Sequence, residues 1–164
     1  MNKSDEYSSS EQLWLENQIC FPLYAVSRMV TKLYTPLLAD LDITYPQYLV
    51  LLVLWKEDHL SVNEISSLLY LESNTLTPLL KRMEQKNLVR RRRSQLDERK
   101  VIVSLTPDGK GLQEKAACVP QSIVNQMSTD EVSLQEVQSF KQTLTKLMHL
   151  LNENNNRNRD ELTD

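Results

Sequence analysis

Two cysteines, a handful of tyrosines and one crowded run of arginines are the side chains of this 164-residue sequence best suited to chemistry. A cysteine thiolate attacks the O–O bond of a peroxide and becomes a sulfenic acid. Cys20 stands within Asn17-Gln18-Ile19-Cys20-Phe21, and Cys118 lies far down the chain, just before Val119-Pro120. There is no CxxC pair, and two distant cysteines make no disulfide scaffold. Taken alone, a free cysteine is most often a small buried hydrophobe. His59 and His149 are too few and too scattered for a metal site, so no metal or cofactor is expected. Gly109 and Gly111 are the only glycines, which leaves no GxGxxG or phosphate-cradling loop and speaks against a nucleotide-using enzyme.

The net charge of −3 hides an uneven distribution. Residues 81–100 hold nine basic side chains, among them Arg90, Arg91, Arg92 and Arg93, against Glu84, Asp97 and Glu98. A charged run can be no more than a solvated loop. Concentrated in an otherwise acidic chain, it argues for nucleic-acid binding through one element rather than the whole surface. The longest apolar run, Tyr48 to Trp55, is far short of the roughly 20 residues of a membrane span. The polar N-terminus does not read as a signal peptide, so a cytoplasmic location without membrane contact is expected.

These residues need elements to position them. Residues 1–11 read as disordered and a helical pattern then runs to residue 38. Leu23, Val26, Val30, Leu33 and Leu37 recur at heptad-like spacing, with Pro22 expected to weaken or bend the early part. Val137, Phe140, Leu144, Leu147 and Leu151 repeat that spacing near the other end. Such seams suit a dimer interface built from both termini, or ordinary packing within one subunit. The tail 152–164 is polar and reads as flexible.

Between the seams, Thr44-Tyr45-Pro46-Gln47 is a capping box opening a helix that is apolar on all sides and expected to be buried. Ser61 can cap a short helix that turns Val62, Ile65, Leu68 and Leu69 inward. After a break near Glu72-Ser73, a second helix turns Leu76, Leu79, Leu80 and Met83 inward. It offers Asn74, Thr75, Lys81, Arg82 and Gln85 outward, with Pro78 early in its course; Ser73, Asn74, Thr75, Thr77, Lys81 and Arg82 are its candidate DNA contacts. Leu88 to Arg93 and Lys100 to Leu105 then form a β-hairpin around Ser94–Arg99, and Thr106-Pro107 caps another helix.

Helix, turn, helix and basic hairpin is the order of a winged helix-turn-helix. Its second helix enters the major groove and its wing reaches the backbone or the minor groove. Arg91, Arg99 and Lys100 are candidate wing contacts, with Asp97 expected to hold the Arg99 guanidinium extended by ion pairing. The fold class is mainly α with a small β-hairpin: a winged domain over 39–106, and interlocking dimerisation helices over 12–38 and 107–151.

The segments Thr44-Tyr45-Pro46-Gln47-Tyr48, Leu76-Thr77-Pro78-Leu79-Leu80-Lys81-Arg82-Met83-Glu84 and Asp97-Glu98-Arg99-Lys100 resemble the MarR family of transcriptional regulators. The Cys20 context, with Leu23-Tyr24, resembles its organic-hydroperoxide-sensing branch. The resemblance implies a homodimer that represses by binding an inverted-repeat operator in double-stranded DNA. It implies release when Cys20 is oxidised by an organic hydroperoxide, with Tyr34 and Tyr45, and Tyr24 near by, hydrogen-bonded around the sulfur. On one continuous helix Cys20 and Tyr34 lie about 21 Å apart, so any contact between them must come from the partner subunit. In some members a second cysteine closes an intersubunit disulfide. That position aligns near Asn125 rather than Cys118, seven residues away on roughly the same helical face. A Cys118 disulfide, a mixed disulfide with a low-molecular-weight thiol and overoxidation all stay open. Two rival functions are release by a small phenolic or lipophilic ligand, and a thiol peroxidase, which would leave the basic wing unexplained.

Overall fold

The computed structural model describes residues 10–161, with side chains described through residue 154. The expected disorder of residues 1–9 and the last three residues of the expected tail lie outside the described residues. The chain divides into two units, one ending at Ala117 and one beginning at Cys118.

The first unit opens with two short 3-10 turns, Glu11–Leu13 and Leu15–Asn17, and only then enters α1, Cys20–Ala39. The helical pattern expected from residue 12 therefore starts eight residues later. Pro22 falls in the first turn of α1, where its missing N–H has no intrahelical acceptor in any case, and the stretch before it is not α-helical. α2, Tyr45–Lys56, starts at the capping box: the Thr44 backbone N–H donates to Gln47 Oε1 at 2.9 Å. Tyr48, Val50, Leu51 and Leu54 bury fully, while Leu52 stays exposed, so α2 is not covered on all sides.

β1, Leu60–Ser61, leads directly into α3, Val62–Leu69, whose Ser61 and Glu64 form a second capping box. Ile65 is buried, but Leu68, expected to face inward, is exposed. The turn to α4, Ser73–Gln85, runs through Tyr70 at φ 53°. With both glycines placed in a helix, left-handed turn positions fall to Asp42, His59, Tyr70 and Asn87. Pro78 is the sixth residue of α4, deeper than its expected early position. Leu76, Leu79, Leu80 and Met83 pack inward as their spacing requires.

β2, Val89–Arg93, and β3, Val101–Leu105, pair antiparallel, with β1 added on the far side of β3. Thr106 then caps α5, Pro107–Ala116, its hydroxyl accepting from the Gly109 N–H at 3.0 Å. Here glycine is obligatory, because a Cβ on Gly109 would stand 2.1 Å from the Leu88 carbonyl oxygen. That close approach joins α5 to the base of the hairpin. Trp55 Nε1 donates to the Gly109 carbonyl at 2.9 Å and ties in α2.

The second unit contains α6, Val119–Met127, and α7, Leu134–Glu161. Ser133 and Glu136 cap α7 reciprocally. The helix continues ten residues past Leu151, through most of the segment expected to be a flexible tail. None of the ten seam residues in α1 and α7 is buried, and Phe140, Leu147 and Leu151 are more than a third exposed. Burial within one chain therefore does not account for the heptad-like spacing.

Candidate functional site

The exposed start of α4 carries the first group of candidates. Ser73, Asn74 and Thr75 are exposed on its first turn, and Lys81 and Arg82 on a later one. Thr77 is half-buried and its hydroxyl donates back to the Ser73 carbonyl at 2.7 Å, so part of its hydrogen-bonding capacity is used within the helix. The buried leucines hold this helix on α2 and α3 and leave its polar face open, as a groove-reading helix requires.

The wing is pinned to α4. Arg91 donates from Nε and Nη2 to Glu84 Oε2 at 3.0 and 2.7 Å, and its backbone N–H donates to Oε1 at 3.0 Å. The Arg91 guanidinium holds the Glu84 carboxyl below its ordinary range, outweighing the opposing effect of desolvation. Arg91, a candidate DNA contact, is thus engaged inside the domain and fixes the wing relative to the reading helix. Sequence analysis did not find this pair, because the partners sit on different elements seven residues apart.

At the tip, Asp97 Oδ1 accepts from the Arg99 backbone N–H at 3.1 Å, and the Lys100 N–H donates to the Asp97 carbonyl at 2.9 Å. Ser94 Oγ accepts from the N–H groups of Leu96 and Asp97. The expected ion pair between Asp97 and the Arg99 guanidinium is absent among the described residues. Asp97 shapes the turn instead, leaving the exposed side chains of Arg99 and Lys100 to project. The hairpin's other end is held by Asp58, whose Oδ1 accepts from the Leu105 and His59 N–H groups at 2.8 and 2.9 Å. Its Oδ2 lies 3.3 Å from Lys110 Nζ. Burial raises the Asp58 pKa, but those two N–H groups and Lys110 outweigh it and hold the carboxyl below its usual range.

The sulfur-centred candidates fall into separate places. Cys20 is the first residue of α1 and exposed, at the positive end of the helix dipole. Tyr24 is one turn on, and its hydroxyl accepts from Arg28 Nη1 at 2.9 Å, with the guanidinium 5.5 Å from the ring centroid. Arg28 was not singled out from sequence, although the i, i+4 spacing of the pair on a helix is its signal. Tyr34 packs against Tyr45 at 4.6 Å and Tyr48 at 6.0 Å between ring centroids, and Tyr48 meets Trp55 at 6.1 Å. Burial raises the pKa of Tyr34, as do Tyr45 and Tyr48 beside it, and burial raises that of Tyr45. Both phenols, already protonated at neutral pH, are pushed further toward the form that can donate. α1 is continuous from Cys20 to Tyr34, a rise of about 21 Å. One chain therefore does not bring the sulfur to the tyrosine. Cys118, immediately before α6 in the second unit, is exposed. Asn125 is exposed within α6 and accepts from Gln121 at 2.8 Å.

Among the described residues, no group of three or more His, Cys, Asp or Glu could hold a metal ion, and no helix is long and apolar enough to cross a membrane. An open reading helix, a rigid wing beside it and basic side chains concentrated there define a winged helix-turn-helix DNA-binding protein. A family model described as transcriptional regulator SarA/Rot matches residues 32–116. The organic hydroperoxide resistance transcriptional regulator of Bacillus subtilis (strain 168) is 49% identical over 142 residues, 87% of this chain and 97% of that one. Reduced AbfR bound to DNA has a TM-score of 0.72 at 40% identity, covering 89% of this chain and 98% of that one. AbfR, from Staphylococcus epidermidis, is also similar in its overoxidised form bound to DNA, with a TM-score of 0.67 at 42% identity over 87% and 99% of the two chains. Wild-type MarR from E. coli gives a TM-score of 0.63 at 26% identity, covering 79% and 96%. The chain belongs to the MarR-type transcriptional regulators, with the SarA/Rot proteins among its relatives.

Proposed function

We propose that this protein is an oxidant-responsive repressor that binds an inverted-repeat operator as a cytoplasmic homodimer and is released when an organic hydroperoxide oxidises Cys20. One observation carries the reading: an exposed cysteine opens α1, and about 21 Å further along that helix Tyr34 packs against Tyr45 at 4.6 Å between ring centroids. An antiparallel partner helix along the open α1 seam brings the partner's phenols to each sulfur, with the terminal helices 12–38 and 107–151 forming the interface. The winged domain, 39–106, then reads one half-site per subunit.

The Cys20 thiolate attacks one peroxide oxygen, the O–O bond breaks, and the alkoxide leaves as an alcohol after taking a proton. The sulfur, oxidised by two electrons, is a sulfenic acid. Condensation with a second thiol gives a disulfide and water. That thiol is Cys118 or a low-molecular-weight thiol. AbfR is known overoxidised and bound to DNA, which favours a disulfide over overoxidation as the releasing product here.

The test is a mobility-shift assay on the DNA upstream of the protein's own gene, with and without cumene hydroperoxide. Wild type should bind and then release, while Cys20→Ser should bind and stay. Release of Cys20→Ser at the wild-type dose would refute the sensor assignment.

A further inference from the structure

The arginine run Arg90–Arg93 is only partly used by the site described above. Strand alternation turns Arg91 toward Glu84 and sends Arg90 and Arg92 to the opposite face of the hairpin. On that outer face Arg90 pairs in register with Ser104, and Arg92 with Ile102. These four residues, with His59 and Lys110 at the hairpin's base, line a concavity of about 310 Å³. No carboxylate lines it. Asp58 is not a lining residue, although its Oδ2 is 3.3 Å from Lys110 Nζ and 3.5 Å from His59 Nδ1. Among the described residues, neither Arg90 nor Arg92 has an ion-pair partner.

Two guanidinium groups at positions i and i+2 of one strand stand roughly 7 Å apart at their Cα atoms. Like charges on one strand face repel and are destabilising when nothing lies between them. A phosphate relieves that repulsion and is the geometric match for the guanidinium fork, which donates two parallel N–H groups. The Ser104 hydroxyl and the Lys110 ammonium supply further donors, and Ile102 gives the floor an apolar part.

We infer that the outer face of the β2–β3 hairpin is a phosphate-binding site, in which Arg90 and Arg92 hold the phosphate and Lys110 and His59 border it. The phosphate comes from the operator backbone beside the wing or from a free phosphorylated small molecule. The first source rests on the DNA-binding reading, and the second does not. In either case the site is distinct from the α4 face and the Arg99 tip.

The experiment compares wild type with the double variant Arg90→Gln/Arg92→Gln in two measurements. Calorimetric titration of the DNA-free protein with inorganic pyrophosphate tests the free ligand. The slope of log affinity against log salt for operator DNA tests the backbone. Saturable pyrophosphate binding, weakened roughly tenfold or more in the variant, with an unchanged salt slope supports a free phosphorylated ligand. A salt slope reduced by about two, one for each guanidinium lost, supports the operator backbone. Arg90→Lys/Arg92→Lys, which restores the charges, should recover that slope. Both substituted positions are exposed, and an unchanged circular-dichroism melt checks that folding is intact. If neither measurement differs between wild type and the variant, the inference is wrong. Continued weakening by Arg99→Ala in that case shows that DNA reading survives without it. If wild type binds no operator DNA, the DNA reading fails and pyrophosphate binding alone decides this site.

Discussion

Glu84 of α4 and Arg91 of β2 are joined by three hydrogen bonds, two from the guanidinium to Oε2 and one from the Arg91 backbone to Oε1. The contact makes reading helix and wing one rigid piece. A change at this pair should therefore alter DNA binding without removing any side chain that faces DNA.

Glu84→Gln should lower operator affinity more than it lowers stability. The pair is partly solvated, so its loss should cost no more than about 1 kcal/mol at physiological salt. The sign with pH follows from the depressed Glu84 pKa. The stabilisation is fully present above the unfolded value and is lost as pH falls through the lower folded value. Urea midpoints of wild type and variant should thus differ at neutral pH and converge in acid. A gap that widens on acidification would contradict the assignment.

Gly109→Ala should be destabilising, whereas Gly111→Ala should not. A Cβ at Gly109 would stand 2.1 Å from the Leu88 carbonyl oxygen, whereas one at Gly111 would meet nothing within 4 Å. Relieving the first clash requires backbone movement costing about 1–3 kcal/mol. The second exchange replaces a helical glycine by alanine, a gain of about 0.5–1 kcal/mol. Thermal melts of the two variants should move in opposite directions.

What was legible in the sequence was mostly local. Thr44 and Gln47, three residues apart, identify the start of α2, and Thr106-Pro107 identifies α5. Alternation in Val101–Leu105 identifies β3. The N-terminal boundary was not legible, because residues 12–19 carry apolar side chains at spacings that a helix and two 3-10 turns satisfy equally well. The role of Arg91 depends on which face of the strand meets α4, and the role of Asp97 on the turn geometry. Neither is encoded in a run of charges. The exposure of Leu68 depends on what packs beside α3, which a hydrophobic pattern of one helix does not specify.

Arg99→Ala should weaken operator binding by about 1–3 kcal/mol if the guanidinium reads the minor groove. Asp97→Ala keeps that guanidinium but removes the carboxylate oxygen that accepts the Arg99 N–H. It should loosen the tip and weaken binding by less. Fluorescence-anisotropy titrations on specific and scrambled DNA check both. Equal loss on the two DNAs for Arg99→Ala would make it a phosphate contact, and no loss would remove the wing tip from the interface.

The last prediction concerns how the tyrosines tune Cys20. Sulfur reacts as the thiolate, and a hydroxyl that donates to it stabilises that form. A phenol can donate only while it holds its proton. Burial raises the pKa values of Tyr34 and Tyr45, so both remain donors well above neutral pH. Tyr24 is different: it is exposed and its oxygen already accepts from Arg28, which makes its own O–H a stronger donor. Since α1 keeps Tyr34 about 21 Å from the sulfur of its own chain, the proposed sensor requires Tyr34 to reach Cys20 across a dimer. Tyr34→Phe with Tyr45→Phe should accordingly slow oxidation by cumene hydroperoxide roughly tenfold, the effect of losing about 1.4 kcal/mol of hydrogen bonding. DNA affinity of the reduced protein should hold. The decisive sample mixes Cys20→Ser subunits with Tyr34→Phe/Tyr45→Phe subunits. In the heterodimer the only cysteine at position 20 faces a partner with both phenols, and stopped-flow oxidation should return to the wild-type rate. A heterodimer as slow as the tyrosine variant would mean that the tyrosines act within their own chain, and the cross-subunit sensor would be wrong.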